Sequence, residues 1–88
     1  MENKENYYCR VCGLEQVDPP WGEDEKNPSF EICECCGVEF GYEDSLIQGV
    51  KKYRQEWLNK RANWHEPKYQ PQDWDLKSQL TNIPEKFS

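Results

Sequence analysis

The spacing of apolar side chains changes character about halfway along the 88-residue chain. In the first half, Ser29-Phe30-Glu31-Ile32-Cys33 alternates, with Phe30 and Ile32 on one face and Glu31 on the other, and Val38-Glu39-Phe40 alternates likewise. A period of two marks a half-buried strand, so these runs predict short antiparallel strands. Leu14 to Val17 is a further pairing candidate. Pro19-Pro20-Trp21-Gly22 and Asn27-Pro28 are turn sequences, and Glu23-Asp24-Glu25-Lys26 between them reads as an exposed loop tip.

From Glu43 the period lengthens. Leu46, Val50, Tyr53, Trp57 and Trp64 recur at steps of four, three, four and seven, which places them in one stripe at about 100° per residue. Ile47 and Leu58 widen that face. The spacing predicts a helix over residues 44–64, capped by Asp44 or Ser45 and stopped before Pro67. Gly49 inside it costs about 1 kcal/mol relative to alanine. A shorter helix is predicted over residues 74–81, with Asp73 as N-cap, Leu76 and Leu80 on one face, and Pro84 at its end. Residues 65–72 connect the two, and residues 1–6 form a polar, frayed start. The expected architecture is one α+β domain over residues 1–88. A small antiparallel β unit at 7–42 is followed by a helical part at 43–88, packed through the stripe.

Composition makes that core thin. Hydrophobic residues are 35% of the chain and mean hydropathy is −1.15. A chain this small buries only about 60–65% of the surface its unfolded form exposes, so folding calls for a covalent or metal staple. No apolar run is long enough to cross a membrane as a helix. The polar, acidic start Met1-Glu2-Asn3-Lys4-Glu5-Asn6 does not read as a secretory signal. A cytoplasmic, reducing setting is expected, where cysteines stay thiols or bind metal.

All five cysteines lie in the predicted β unit. Cys9-Arg10-Val11-Cys12-Gly13 is one C-x-x-C turn followed by glycine. Cys33-Glu34-Cys35-Cys36-Gly37 contains a second, with 20 residues between Cys12 and Cys33. Two C-x-x-C turns with a gap near 15–20 residues is the spacing of a tetrahedral zinc site. Two thiolates from one tight turn can grip a single ion, and glycine after the second permits positive φ. Cys9, Cys12, Cys33 and Cys36 are therefore the expected ligands of a structural Zn2+, with iron as the alternative. Cys35 adjoins Cys36, so either could ligate. The pair Cys33 and Cys36 keeps both the spacing and the following glycine, which makes Cys35 the spare thiol.

Tyr8-Cys9-x-x-Cys12-Gly13 and Cys33-x-x-Cys36-Gly37-Val38 resemble the two knuckles of a zinc ribbon, and also those of a rubredoxin. Cys35-Cys36-Gly37 is similar to the end of the motif in small bacterial cysteine-rich proteins of the CPCC type, although Glu34 stands where both patterns carry proline. The resemblance covers residues 7–42 and implies a zinc-ribbon-like fold and a metal, not an activity.

Four cysteines fill a tetrahedral shell, so the lone histidine, His65, is expected to be structural or on the surface. Glu23, Asp24 and Glu25 lack the oxygen spacing of a calcium loop. No nucleophile elbow, Walker loop, H-E-x-x-H or Cys/His pair occurs, so no catalytic residue is assigned. Net charge is −6, with 12 acidic and 3 basic side chains in residues 1–44 against 5 and 8 in residues 45–88. A four-thiolate zinc site would bring the total nearer −8. A field of that sign disfavours nucleic acid, even though Lys51, Lys52, Arg54, Lys60 and Arg61 line the polar side of the long helix. The expected function is a non-enzymatic, acidic protein-interaction module of adaptor, inhibitor or immunity type that meets a basic protein. Trp21, Glu23, Asp24 and Glu25 are its candidate contacts, and packing over a zinc knuckle is the competing role for Trp21. The alternatives are a rubredoxin-like iron electron carrier and a nucleic-acid-binding zinc ribbon.

Overall fold

Each C-x-x-C-Gly sequence closes on itself as a tight turn, and the rest of the chain is arranged around the two turns. This is seen in a computed structural model that describes residues 4–88. In the first knuckle the Gly13 amide donates to Cys9 O (3.0 Å), the Cys9 amide to Leu14 O (2.9 Å) and the Gln16 amide to Tyr7 O (2.8 Å). In the second, Gly37 donates to Cys33 O (2.9 Å), Cys33 to Val38 O (2.9 Å) and Phe40 to Glu31 O (2.9 Å). Gly13 and Gly37 have φ of 85° and 81°, conformations that glycine adopts without a side-chain penalty.

The expected β unit does not form. Among the described residues there is no strand, only the isolated antiparallel bridges Tyr8–Glu15 and Ile32–Glu39, one beneath each knuckle. The alternation at 29–33 fails because Phe30 turns to a φ of 62°, outside the extended region a strand requires. Phe30 and Ile32, expected to face inward, are 62% and 50% exposed, and Val17 is 94% exposed. Val38 and Phe40 do face inward and are fully buried.

The regular elements are helices. α1 spans Ile47–Asn59 and α2 spans Leu76–Leu80. Single 3-10 turns lie at Lys4–Tyr7, Pro67–Tyr69 and Glu85–Phe87. The residues expected to fray therefore include part of a 3-10 turn, and residues 1–3 lie outside the described part. α1 is shorter at both ends than its periodicity predicts. It starts at Leu46, whose backbone is extended and which supplies no side-chain cap, because Asp44 and Ser45 bond elsewhere. It stops at Lys60, after which Arg61 and Ala62 take φ of 71° and 51° and reverse the chain. In α2 the N-cap is Asp75, not Asp73, and its carboxylate accepts from the Ser78 amide.

The core is the knuckle cysteines together with Val11, Val38, Phe40, Val50, Trp57, Ala62, Trp64, Ile83 and Phe87. Val50, Trp57 and Trp64 of the predicted stripe are buried and Tyr53 is half-buried, but Leu46 is 72% exposed. The connection after α1 pairs with the second knuckle, His65 N donating to Cys35 O and Glu66 N to Glu34 O, both at 2.9 Å. Trp64 then meets the edge of Trp74, with ring centres 5.6 Å apart. The C-terminal segment thus lies against the cysteine turns.

Candidate metal centre

The two knuckles bring together Cys9, Cys12, Cys33 and Cys36, whose sulfurs all lie within 4.8 Å of one another. Cys9 Sγ is 3.6 Å from Cys36 Sγ, and Cys12 Sγ is 3.6 Å from Cys33 Sγ. These separations are far beyond a disulfide bond, and all five cysteines are free. They match the edge of a sulfur tetrahedron, about 3.8 Å for metal–sulfur bonds near 2.3 Å. Each close pair joins one cysteine from each knuckle, so one ion at the centre would tie both turns. The donor set fits a thiophilic metal: three of the four cysteines have no exposed surface and Cys36 has 6%.

Burial raises the Cys12 and Cys36 thiols well above their ordinary range, while hydrogen bonding, chiefly with Cys12, pulls Cys33 well below it. Four sulfurs so close cannot all ionise without a cation among them. Tyr53, whose hydroxyl donates to Cys36 O at 3.2 Å, is pushed up to about 12 by burial and by the nearby Glu43 charge.

Arg54 supplies positive charge beside this centre. Its Nε donates to Val11 O (2.6 Å), and its Nη2 donates to Arg10 O (2.8 Å) and Phe87 O (2.6 Å). Burial lowers its pKa, and the sulfurs of Cys9, Cys12 and Cys36 push it back up. Arg54 was expected on the solvent side of the helix with Lys51, Lys52, Lys60 and Arg61; those four are exposed, but Arg54 is turned inward. The overlooked signal is its position, four residues from Val50 and three from Trp57, inside the apolar stripe.

Cys35 is fully buried but stands outside the sulfur quartet. Gln79, from α2, donates to its sulfur at 3.3 Å and to Cys12 O at 3.1 Å. Gln79 was not foreseen. It lies between Leu76 and Leu80, at a helical step on the apolar face, and a glutamine there is a polar group aimed at the core. His65 is exposed and contributes no ligand atom to the quartet, though its ring lies 3.3 Å from where a Gly37 Cβ would stand.

The candidate partner residues divide. Glu23, Asp24 and Glu25 are exposed, whereas Trp21 is half-buried and packs on the first knuckle. Its Nε1 donates to Asp44 Oδ2 at 2.8 Å, and its ring lies 4.2 Å from the Arg10 guanidinium, which Phe87 covers from 4.3 Å. Arg10 also donates to Asp44 O at 3.1 Å and meets Glu25 at 3.8 Å. Asp44, with no exposed surface, accepts from the Gly41 amide at 2.7 Å as well. Trp21 is thus a knuckle-packing residue, and the helix cap expected of Asp44 is replaced by this network.

No protein-family model matches the chain, and no solved structure matches it. The chain is similar to two proteins of Bacillus subtilis (strain 168). It is 34% identical to the uncharacterized protein YoaQ over 59% of this chain and 57% of that protein. It is 26% identical to the uncharacterized protein YozI over 76% of this chain and 69% of that protein. The matched region therefore spans little more than half the length of YoaQ. Neither relative adds an activity, and the zinc-ribbon resemblance rests on the two knuckles alone. No helix among the described residues is long and apolar enough to cross a membrane.

Proposed function

We propose that the chain is a non-enzymatic module built on a structural zinc ion held by Cys9, Cys12, Cys33 and Cys36, and that its acidic N-terminal half meets a basic protein. The convergence of four buried sulfurs within 4.8 Å carries this reading. A four-sulfur shell leaves no open coordination position for an activated water, so a structural role suits it better than hydrolysis. For the partner, support comes from the sign and placement of charge. Glu15, Asp18, Glu23, Asp24, Glu31 and Glu34 are all exposed on the knuckle-bearing half. Such a surface attracts a basic protein and repels phosphate backbones.

Elemental analysis of protein purified without added metal tests the first half. One zinc per chain in a colourless sample is expected, and a red sample with one iron would replace this reading by the electron carrier. Affinity capture at low and high salt tests the second half. A basic protein released by salt is expected, and finding no salt-sensitive partner refutes it. Retention of RNA on filters at low salt would favour a nucleic-acid role instead.

A further inference from the structure

The second knuckle offers two neighbouring sulfurs where the shell has room for one. We infer that Gln79 makes the choice: it is a positioning residue that holds the Cys35 sulfur out of the metal shell, so that Cys36 is the fourth ligand. This rests on the metal-binding reading above.

The comparison of the two knuckles frames the problem. Val11 and Cys35 occupy equivalent positions, each directly before the second ligand of its turn, and both are fully buried. Valine cannot bind a metal, so the first knuckle has one possible pair. Cys35 fills the same core position with a side chain that can ligate, one residue from Cys36 and bound to the amide that also holds Cys12 O. Against the Cys35 sulfur the fold places a buried amide side chain, that of Gln79.

That amide has no spare donor. Its Nε2 uses both hydrogens, one on Cys35 Sγ at 3.3 Å and one on Cys12 O at 3.1 Å. Its Oε1 accepts from Trp74 Nε1 at 2.7 Å. An indole N–H can only donate, so Trp74 fixes which end of the amide faces the cysteines. Trp74 is in turn braced by the edge contact with Trp64. The backbone of Cys35 is pinned as well, its carbonyl accepting from His65 N at 2.9 Å. For Cys35 to enter the shell, its sulfur must leave Gln79 and strand a buried N–H without an acceptor. Cys36 carries no such restraint on its sulfur, which lies 3.6 Å from Cys9 Sγ.

Cobalt(II), a thiophilic ion that reports its sulfur ligands by charge-transfer absorption, is the probe. The wild-type chain should give a full four-sulfur spectrum. If it binds no cobalt, the metal-binding reading fails, and the inference with it. Cys35→Ser should leave the spectrum unchanged. Cys36→Ser should lose about a quarter of the charge-transfer intensity, one sulfur of four. Cys36→Ser combined with Gln79→Ala should regain it, because the freed Cys35 takes the vacant position; a rescue of this kind cannot come from loss of fold. Full intensity in Cys36→Ser alone, or no recovery in the double variant, overturns the inference while leaving the metal site standing. A second measurement uses zinc-loaded Gln79→Ala with all five cysteines, in which cysteine Cβ carbon shifts separate bound from free sulfurs. A second set with Cys35 bound and Cys36 free is expected, and the wild-type set alone refutes the role of Gln79.

Discussion

Gly13 and Gly37 hold the same place in the two knuckles and have nearly the same φ, 85° and 81°. Replacing each with alanine should nevertheless have unequal consequences. The left-handed backbone costs either alanine roughly 1–2 kcal/mol. At Gly37 little is added, because the new Cβ would meet only the His65 side chain, 3.3 Å away at Nδ1 and exposed enough to move. At Gly13 the new Cβ would stand 2.2 Å from the backbone oxygen of Gln79 and 3.3 Å from Ile83 Cγ1. Backbone cannot swing aside, so α2 must shift, at an overpacking cost of roughly 1–3 kcal/mol. That shift also strains the Gln79 bonds to Cys12 O and Cys35 Sγ. Gly13→Ala should therefore destabilise the protein by about 2–5 kcal/mol and Gly37→Ala by about 1–2 kcal/mol. Denaturant unfolding at a fixed free zinc concentration measures both, since metal bound only by the folded chain raises apparent stability. Equal losses, or a larger loss for Gly37→Ala, would refute the claim that α2 rests directly on the first knuckle.

If the quartet holds the zinc proposed above, its removal should abolish the tertiary structure of residues 7–42, because structural zinc contributes roughly 10–16 kcal/mol to folding of small domains, more than so thin a core holds in reserve; near-UV dichroism that survives complete chelation would contradict this. Asp44→Ala should cost about 2–6 kcal/mol, roughly 1–3 for each of the two donors it strands, Trp21 Nε1 and the Gly41 amide, while Arg10 keeps the backbone carbonyl of residue 44 and loses only a neighbouring negative charge; a thermal midpoint equal to wild type would show that the network carries no stability. The phenol of Tyr53, raised to about 12, keeps its proton in the folded chain after the unfolded chain has lost it. Its contribution is thus fully present below about 10, the ordinary tyrosine value, and is lost as pH rises through about 12. A tyrosinate absorbance titration should show one late phenol that Tyr53→Phe removes, and a single step for all tyrosines would refute the assignment.

The parts of this molecule that could be read from the chain are those fixed by local chemistry. The doubled C-x-x-C-Gly spacing located the four sulfurs because a knuckle is a closed turn whose hydrogen bonds lie within a few residues. The stripe of Val50, Tyr53 and Trp57 located α1 for the same reason. The failures arise where distant contacts override a local preference. Alternation at Phe30 and Ile32 promised a strand, but the positive φ at Phe30 breaks the run, and of the ladder only the single Ile32–Glu39 bridge forms. Asp44 had the right chemistry for a helix cap, yet Trp21 and the Gly41 amide engage its carboxylate. Arg54 and Gln79 share one lesson: each is a polar residue at a helical step within an apolar row, and each satisfies the buried backbone of the knuckles. A polar residue that interrupts a hydrophobic row is a better pointer to a buried centre than a charge on the open face.

The indoles of Trp64 and Trp74 meet edge to face with ring centres 5.6 Å apart, so each ring forms part of the surroundings that set the other's near-UV absorption and fluorescence. Trp64 follows α1 and Trp74 precedes α2, so those surroundings exist only while the tail stays docked. The chain therefore carries its own optical gauge of attachment, readable without any dye, at the residue that orients Gln79.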